Sequence, residues 1–355
     1  MSLIDKLKKN STVKATAVLS ESKYFMERDM IPTAIPAMNI ALSGSINGGF
    51  LPGITLWCGP SKHGKSLFSL IMAKAYMDKY PDAIMIFYDC EFGMPEAYFK
   101  ALNIDMSRVL HVPIMNMEEF KFDIMQQLQG LTRGDHVVIV ADSLGNMASK
   151  KEMDDALEGK SVADMSRAKQ MKSIFRMVTP YLNHLDLPFI GVNHIYMEQG
   201  LYPKAIVSGG SGIYLSADNI FIMGRQQDKD ADGIAGFNFV INVEKSRHTR
   251  EKSKIPINVR YDSGISKWSG LLDIALNSGH VIKPSNGWYS RVLDGGEIES
   301  KKWRAKDTDC SEFWDPLLSG ESFPKWIDEN FKVTSGKMML EDTSGSLSDI
   351  EDEDA

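Results

Sequence analysis

Ile54-Thr55-Leu56-Trp57-Cys58-Gly59-Pro60-Ser61-Lys62-His63-Gly64-Lys65-Ser66 is the stretch on which the fold turns. A short apolar segment of strand character runs into two glycines spaced by four residues, then Lys and Ser. The next residues, Leu67–Lys79, carry helical periodicity. Strand, glycine loop and helix in that order make a phosphate loop. Its backbone N–H groups and the helix N-terminus face the phosphates, where the helix dipole favours negative charge. Gly59, Pro60, Ser61, Lys62, His63, Gly64, Lys65 and Ser66 therefore form the expected nucleotide cradle. Lys65 is expected to reach the β and γ phosphates of ATP, and Ser66 to offer its hydroxyl to Mg²⁺.

Two further segments work outward from this loop. Val137-Val138-Ile139-Val140-Ala141-Asp142 is an apolar strand ending in a carboxylate, which beside a phosphate loop reads as a Mg²⁺ partner. Ala83–Asp89 is another such strand, continuing into Cys90-Glu91-Phe92-Gly93. Glu91 lies just past its carboxyl end, where ligands bind in parallel sheets. There it either orients and deprotonates a water attacking the γ phosphate or is a solvated loop acid; its position alone favours neither.

The rest of the chain keeps the same rhythm. Ile54–Cys58, Ala83–Asp89, Val109–Val112, Val137–Asp142 and Pro188–Asn193 read as buried strands. Lys65–Lys79, Pro95–Leu102, Met117–Leu131 and Ala163–Thr179 read as helices between them. The fold class is α/β: a mainly parallel sheet with helices on both faces. Ala217–Gly224, Phe237–Glu244 and Lys254–Tyr261 follow without helices between, which predicts an antiparallel extension. From about 269 to 335 the chain is richer in Trp and polar turns, the composition of a small C-terminal α+β domain. On the helix Ala163–Thr179, Met165, Ala168, Met171, Phe175 and Val178 form one apolar face, and Lys169, Lys172 and Arg176 a basic stripe on another.

Charge and composition exclude less than they suggest. The net charge of -7 is carried by the end of the chain: Glu341, Asp342, Asp349, Glu351, Asp352, Glu353 and Asp354, with no base among them. Without these seven acids, 40 acids face 40 bases, so a basic groove for nucleic acid remains open. Residues 336–355 are expected to be a disordered acidic tail, serving solubility or competing with an anionic ligand. No run of about 18 uncharged apolar residues exists, so no membrane span is expected. The start, Met1 to Lys9, lacks the apolar stretch of a secretion signal, and Cys58, Cys90 and Cys310 lack paired or metal-ligand spacing. A reducing cytoplasm is the expected location.

With these segments in this order the chain resembles the RecA-type recombinases, and within them the UvsX type of tailed phages. Carrying the resemblance are Asn39-Ile40-Ala41-Leu42-Ser43-Gly44, Phe87 to Gly93, Asp142-Ser143-Leu144-Gly145-Asn146, Asn193-His194, Asn286-Gly287-Trp288-Tyr289 and Lys302 to Asp307. It implies a RecA-like ATPase core at 31–268 after a small N-terminal oligomerisation segment at 1–30, whose Leu3, Ile4 and Leu7 dock on an adjacent subunit. Glu91 would position the hydrolytic water, Tyr98 stack on adenine, and His194 sense the γ phosphate. Two loops, near 150–164 and 197–212, would hold single-stranded DNA with Lys169, Lys172, Arg176, Gly209 and Gly210. Lys245 and Arg247 would reach the ATP of a neighbouring subunit. The implied function is an ATP-dependent recombinase. It forms helical filaments on single-stranded DNA and pairs them with a homologous duplex during phage recombination, repair and recombination-dependent replication. A single-strand-binding protein and a mediator would be its partners. A hexameric helicase shares this core but normally carries a further domain ahead of it, and only about 50 residues precede the phosphate loop. A non-hydrolysing accessory paralogue would not need Lys65, Ser66, Glu91, Asp142, Lys245 and Arg247 together.

Overall fold

The computed structural model describes residues 2–24, 28–160, 166–200, 203–230 and 233–333. The acidic tail, 336–355, lies outside the described residues. The chain opens with α1 (Leu3–Asn10) and α2 (Pro36–Ser43). It then alternates through β1 (Gly53–Cys58), α3 (Lys65–Lys79), β2 (Ile84–Asp89), α4 (Glu96–Ala101), β3 (Val109–Pro113), α5 (Met117–Gly130) and β4 (Val137–Asp142). After α6 (Lys150–Leu157) and α7 (Ser166–Leu185) come β5 (Pro188–Asn193), a small hairpin of β6 (Ile195–Met197) and β7 (Ala205–Val207), and α8 (Ser211–Ser216). Three long strands follow: β8 (Asn219–Asp230), β9 (Gly233–Lys245) and β10 (Lys254–Arg260). The last part holds α9 (Leu271–Asn277), β11 (Val281–Ser285), β12 (Trp288–Arg291), β13 (Trp303–Arg304), α10 (Ser311–Ser319) and α11 (Ser322–Phe331).

One eight-stranded sheet organises the molecule, in the order β10-β9-β8-β1-β5-β4-β2-β3. From β8 to β3 every pairing is parallel, whereas β9 and β10 extend the edge antiparallel as the sequence predicts; the segment Ala217–Gly224, expected to belong to that extension, falls in β8 and joins β1 in parallel. The central strands β1, β4 and β5 are buried along their whole length, so each is a continuous apolar run instead of an alternating one. Successive side chains go to opposite faces. Trp57, Phe87, Val140 and Phe221 meet α2 and α3 on one face, while Leu56, Tyr88, Ile139 and Phe189 meet α5, α7 and α8 on the other. Each large apolar side chain so buried contributes about 1.5–3 kcal/mol. The first cluster also takes in Leu271, Trp303, Phe313, Trp314, Phe323 and Ile327, so the C-terminal unit with its three-stranded antiparallel sheet shares a core with the main sheet.

Several sequence expectations need correction. Much of the segment at 150–164 read as a loop is helix α6: its polar sequence buries nothing, and the Ser149 hydroxyl caps it by accepting the Glu152 amide at 3.0 Å. Residues 161–165, including Met165, lie outside the described residues. Helix α7 does not stop before Pro180 but runs to Leu185. A proline inside a helix costs about 3 kcal/mol, which burial of Leu182 and Leu185 beyond it offsets. Ala168 is exposed, and the apolar face of α7 is completed by Ile174, Leu182 and Leu185. The segment 197–212 is no plain loop either, since Met197 pairs with Ala205 in the hairpin and Ser211 begins α8.

Candidate nucleotide site and nucleic-acid surface

At the carboxyl ends of β1, β2, β4 and β5 the expected residues converge. Gly64 takes a left-handed turn, φ 74°, from which α3 departs with Lys65 as its first residue. The Lys65 side chain is buried, and its ammonium donates to the Pro60 carbonyl at 2.8 Å. Burial lowers its pKa, while Asp142 and Glu91 pull the other way. Arg225 in the middle of β8 donates to the Lys62 carbonyl at 2.8 Å and fixes the outer rim of the loop.

Asp142 ends β4 at 8% exposure. Burial pushes its pKa up to about 6; the hydrogen bond from Ser66 and the charge of Lys65 oppose this, and Glu91 and Asp89 add to it. A serine hydroxyl bonded to a buried carboxylate, with two more carboxylates raising its pKa, is a hard-oxygen environment suited to a divalent cation such as Mg²⁺. Among the described residues no group of three or more His, Cys, Asp or Glu side chains forms a metal cluster.

Glu91 keeps 40% of its side chain exposed and is the hub of the site. Its Oε1 accepts from the Ser143 hydroxyl at 2.5 Å and from the Asn146 amide at 2.6 Å, and lies 3.3 Å from His194 Nε2. Burial raises its pKa, but hydrogen bonds from Ser143 and His194, with the His194 and Lys65 charges, outweigh this and hold it below the usual value. The carboxylate is thus ionised and aimed, the condition for orienting a water. Asp89 shapes the turn beneath, accepting the amides of Glu91 and Phe92 at 3.2 and 2.7 Å.

His194 joins this site to the hairpin. Its Nε2 is 3.3 Å from the Ser143 hydroxyl, and its carbonyl accepts the Ser208 amide at 2.9 Å. Asn193 donates to the Ser208 carbonyl at 2.8 Å, and Arg167 at the start of α7 binds the Gly145 and Met147 carbonyls. The residue next to Gly209 and Gly210 is therefore bonded to the γ-phosphate-sensing candidate. Gly210 precedes α8, which packs on α7 so closely that a Cβ at Gly212 would lie 2.6 Å from Lys172 Cβ. Lys169, Lys172 and Arg176 all stay exposed on α7, so the basic stripe and the glycine pair border one surface at the nucleotide end of the sheet.

Tyr98 is 47% exposed on α4, which rules out a core role; its neighbour Phe99 fills the core instead. Sequence reasoning missed Ser143, Asn146, Arg167 and Arg225. The first two sit in the phrase Asp142 to Asn146 and carry a polar pattern that could have pointed to Glu91; Arg167 and Arg225 have no local signal.

Lys245 and Arg247 stand apart. Lys245 pairs with Ile220 near the amino end of β8, and Ile220 in turn pairs with Leu56 in the middle of β1. Its ammonium donates to the Tyr214 and Leu215 carbonyls at the end of α8, at 2.9 and 3.2 Å. Arg247 is 71% exposed and lies 2.6 Å from Asp218, whose other oxygen accepts the Ile54 amide. Arg247 is tied through Asp218 to Ile54, and the strand from Ile54 to Gly59, at about 3.3 Å per residue, puts roughly 16 Å between that anchor and the phosphate loop of the same chain.

Residues 2–266 match the family described as the RecA N-terminal domain, and residues 268–327 the C-terminal domain of the bacteriophage T4 recombination and repair protein. The chain is 50% identical over 336 residues to the recombination and repair protein of Enterobacteria phage T4, covering 93% of this chain and 86% of that protein. It is 25% identical over 338 residues to the RecA protein of Corynebacterium jeikeium, covering 91% and 87%, and 23% identical over 308 residues to that of Cereibacter sphaeroides, covering 84% and 86%. A phosphate loop on a parallel sheet, matched along both its core and its C-terminal unit, makes this chain a member of the RecA family.

Proposed function

We propose that this protein is an ATP-dependent recombinase that assembles on single-stranded DNA as a helical filament and pairs it with a homologous duplex. The observation that carries the reading is the division of the site between the two ends of one sheet. Phosphate loop, Glu91, Asp142, His194 and the glycine hairpin lie at the carboxyl end; Lys245 and Arg247 lie at the amino end. Cations that cannot reach their own nucleotide are placed to reach that of an adjacent copy. Hydrolysis then requires assembly.

In this scheme Lys65 and the loop amides hold the triphosphate, and Tyr98 lies against the adenine. Mg²⁺, held by Ser66 and Asp142, would neutralise phosphate charge. Glu91, kept ionised by Ser143, Asn146 and His194, orients the attacking water. His194 carries the state of the γ phosphate to Ser208 and so to the hairpin. Lys245 and Arg247 of the next copy stabilise charge developing on the transferred phosphoryl group. Lys169, Lys172, Arg176, Gly209 and Gly210 hold the DNA backbone, and base pairing with the incoming duplex supplies selectivity. A core at 31–268 and a C-terminal unit at 269–335 fit the join between the two family matches at 266 and 268. The exposed Leu3, Ile4 and Leu7 of α1 suit docking on a neighbour. A phage single-strand-binding protein and a mediator are the loading partners this activity calls for. No helix among the described residues is long and apolar enough to cross a membrane.

The test is ATP hydrolysis with and without single-stranded DNA, paired with electron microscopy. DNA-stimulated turnover with filaments is expected. A protein that remains monomeric and hydrolyses ATP at the same rate with or without DNA would overturn the reading.

A further inference from the structure

The loop after β9 is built to present its side chains. The Ser246 hydroxyl donates to Asn219 Oδ1 at 2.9 Å and accepts the amides of His248 and Thr249 at 3.1 Å. Thr249 in turn donates to the Ala41 carbonyl on α2 at 3.0 Å. The backbone on both sides of Arg247 is therefore fixed. Its side chain would still have the rotamer freedom of a long, exposed cation, were it not for one contact.

That contact is Asp218. Its Oδ1 lies 2.6 Å from Arg247 Nε, and its Oδ2 accepts the Ile54 amide at 2.8 Å. The carboxylate is 17% exposed and fits only because Gly53 lies beneath it: a Cβ there would come within 2.4 Å of Asp218 Oδ2, and Gly53 has φ 121°. A carboxylate held at the Nε side leaves the outer edge of a guanidinium, the two terminal nitrogens, to bind an anion. Asp218 and Arg247 both line an open cavity of about 770 Å³, in which Arg28, His248 and Lys332 add further basic groups.

We infer that Asp218 is the positioning residue for Arg247, clamping the guanidinium by its Nε side so that its terminal nitrogens are presented to the phosphates of a neighbouring copy's ATP. The inference rests on the reading that Arg247 acts across the subunit boundary. The amide of Ile54, the second residue of β1, anchors the carboxylate, so the aim of the cation is referenced to the same strand that ends in the phosphate loop. Preorganisation of this kind matters because a cation displaced by about 1 Å from a developing charge can cost 100-fold in rate.

Asp218→Asn keeps an oxygen for the Ile54 amide while removing the charge that holds the guanidinium. In DNA-bound filaments its kcat for ATP hydrolysis should fall about 10- to 100-fold, with KM for ATP changed less than about twofold. Asp218→Glu should recover part of the loss. A filament mixed with Glu91→Gln protomers, which cannot hydrolyse their own ATP but present a well-held Arg247, should turn over faster than either variant alone. A wild-type kcat in Asp218→Asn overturns the inference, and so does a loss that mixing fails to restore when the Arg247→Ala loss is restored. If Arg247→Ala itself keeps a wild-type kcat, the action across subunits has failed, and the inference goes with it. Should Asp218→Asn not fold, Asp218→Ser, which also removes the charge, carries the same test: a lowered kcat rescued by mixing supports the clamp, and an unchanged one overturns it.

Discussion

The two ends of the central sheet hold charged residues of opposite design. At the carboxyl end the groups are buried or half-buried and bonded to one another: Lys65 to the loop, Asp142 to Ser66, Glu91 to Ser143, Asn146 and His194. Their protonation is set by these mutual contacts, as in a site prepared for a charged ligand. At the amino end Arg247 is largely exposed, and its one named carboxylate partner is Asp218. In the proposed function, one end binds the nucleotide and the other completes the site of an adjacent copy. A chain so divided gains full chemistry by stacking head to tail, the arrangement that generates open helical assemblies.

The largest expected effect breaks the carboxyl end outright. Lys65→Ala should abolish ATP hydrolysis and filament activation while leaving far-ultraviolet circular dichroism unchanged, since the fold does not depend on its ammonium. Strand exchange with ATP at the wild-type rate would refute the phosphate assignment. Glu91→Gln separates binding from chemistry. The nucleotide still binds, but kcat should fall by about 10²–10⁴, the usual contribution of a positioned base. The amino end comes next: Arg247→Ala should lower filament ATPase by about 10²–10³. Mixing with Glu91→Gln should restore part of it, whereas Lys65→Ala should gain nothing from a partner that supplies only the cation. If Arg247→Ala were instead rescued by no mixture, the comparison between the two ends would lose its meaning.

How much of this was legible in the sequence differs between the same two regions. The carboxyl end is written in local signals: a glycine spacing, and apolar runs of six residues that end in acids. Strands β4 and β5 and helix α3 fall at the bounds their patterns predict, because continuous burial leaves no polar residue to blur them. Helix α6 escaped notice since its stability is in its cap and its charges, with no buried face for periodicity to show. Arg225 and Arg167 reach the site from strands and helices far along the chain, and only the parallel order of β8, β1, β5 and β4 brings them there. At the amino end, Lys245 and Arg247 were assigned through resemblance alone. The separation from the phosphate loop that gives them their meaning depends on the antiparallel register of β8 and β9, which no residue spacing contains.

A pH experiment sharpens the electrostatic half of the comparison. The pKa of Asp142 is raised from 3.8 to about 6, chiefly by burial. The folded, nucleotide-free protein therefore holds this proton more tightly than the unfolded chain. The stabilisation it provides is complete below about pH 4 and is lost as pH rises through about 6. Asp142→Asn mimics the protonated form, so its thermal midpoint should exceed that of the wild type at pH 8, by a margin that closes towards pH 5. A margin constant across that range would mean Asp142 does not titrate there. Arg247 at the amino end offers no such signal, because an arginine stays charged throughout.

The smallest effect concerns the DNA surface, which belongs to neither charged cluster but borders the carboxyl end. Lys172 is exposed on α7 with its stem against Gly212 of α8. As a contact to the phosphate backbone it should act additively and without regard to base sequence. Lys172→Ala should weaken single-stranded DNA binding about equally for all sequences, and lower the slope of log affinity against log salt by about 0.7, the value for one phosphate contact on a single strand. Intrinsic ATP binding should be untouched, because the stem of Lys172 packs on α8 and its ammonium faces solvent. An unchanged slope with unchanged affinity would turn the stripe into an ordinary solvated helix face and leave the grip on DNA to the glycine hairpin alone. A changed slope would place the polymer beside Ser208, the residue through which His194 is bonded to that hairpin, and so tie DNA binding to the same end of the sheet as the nucleotide.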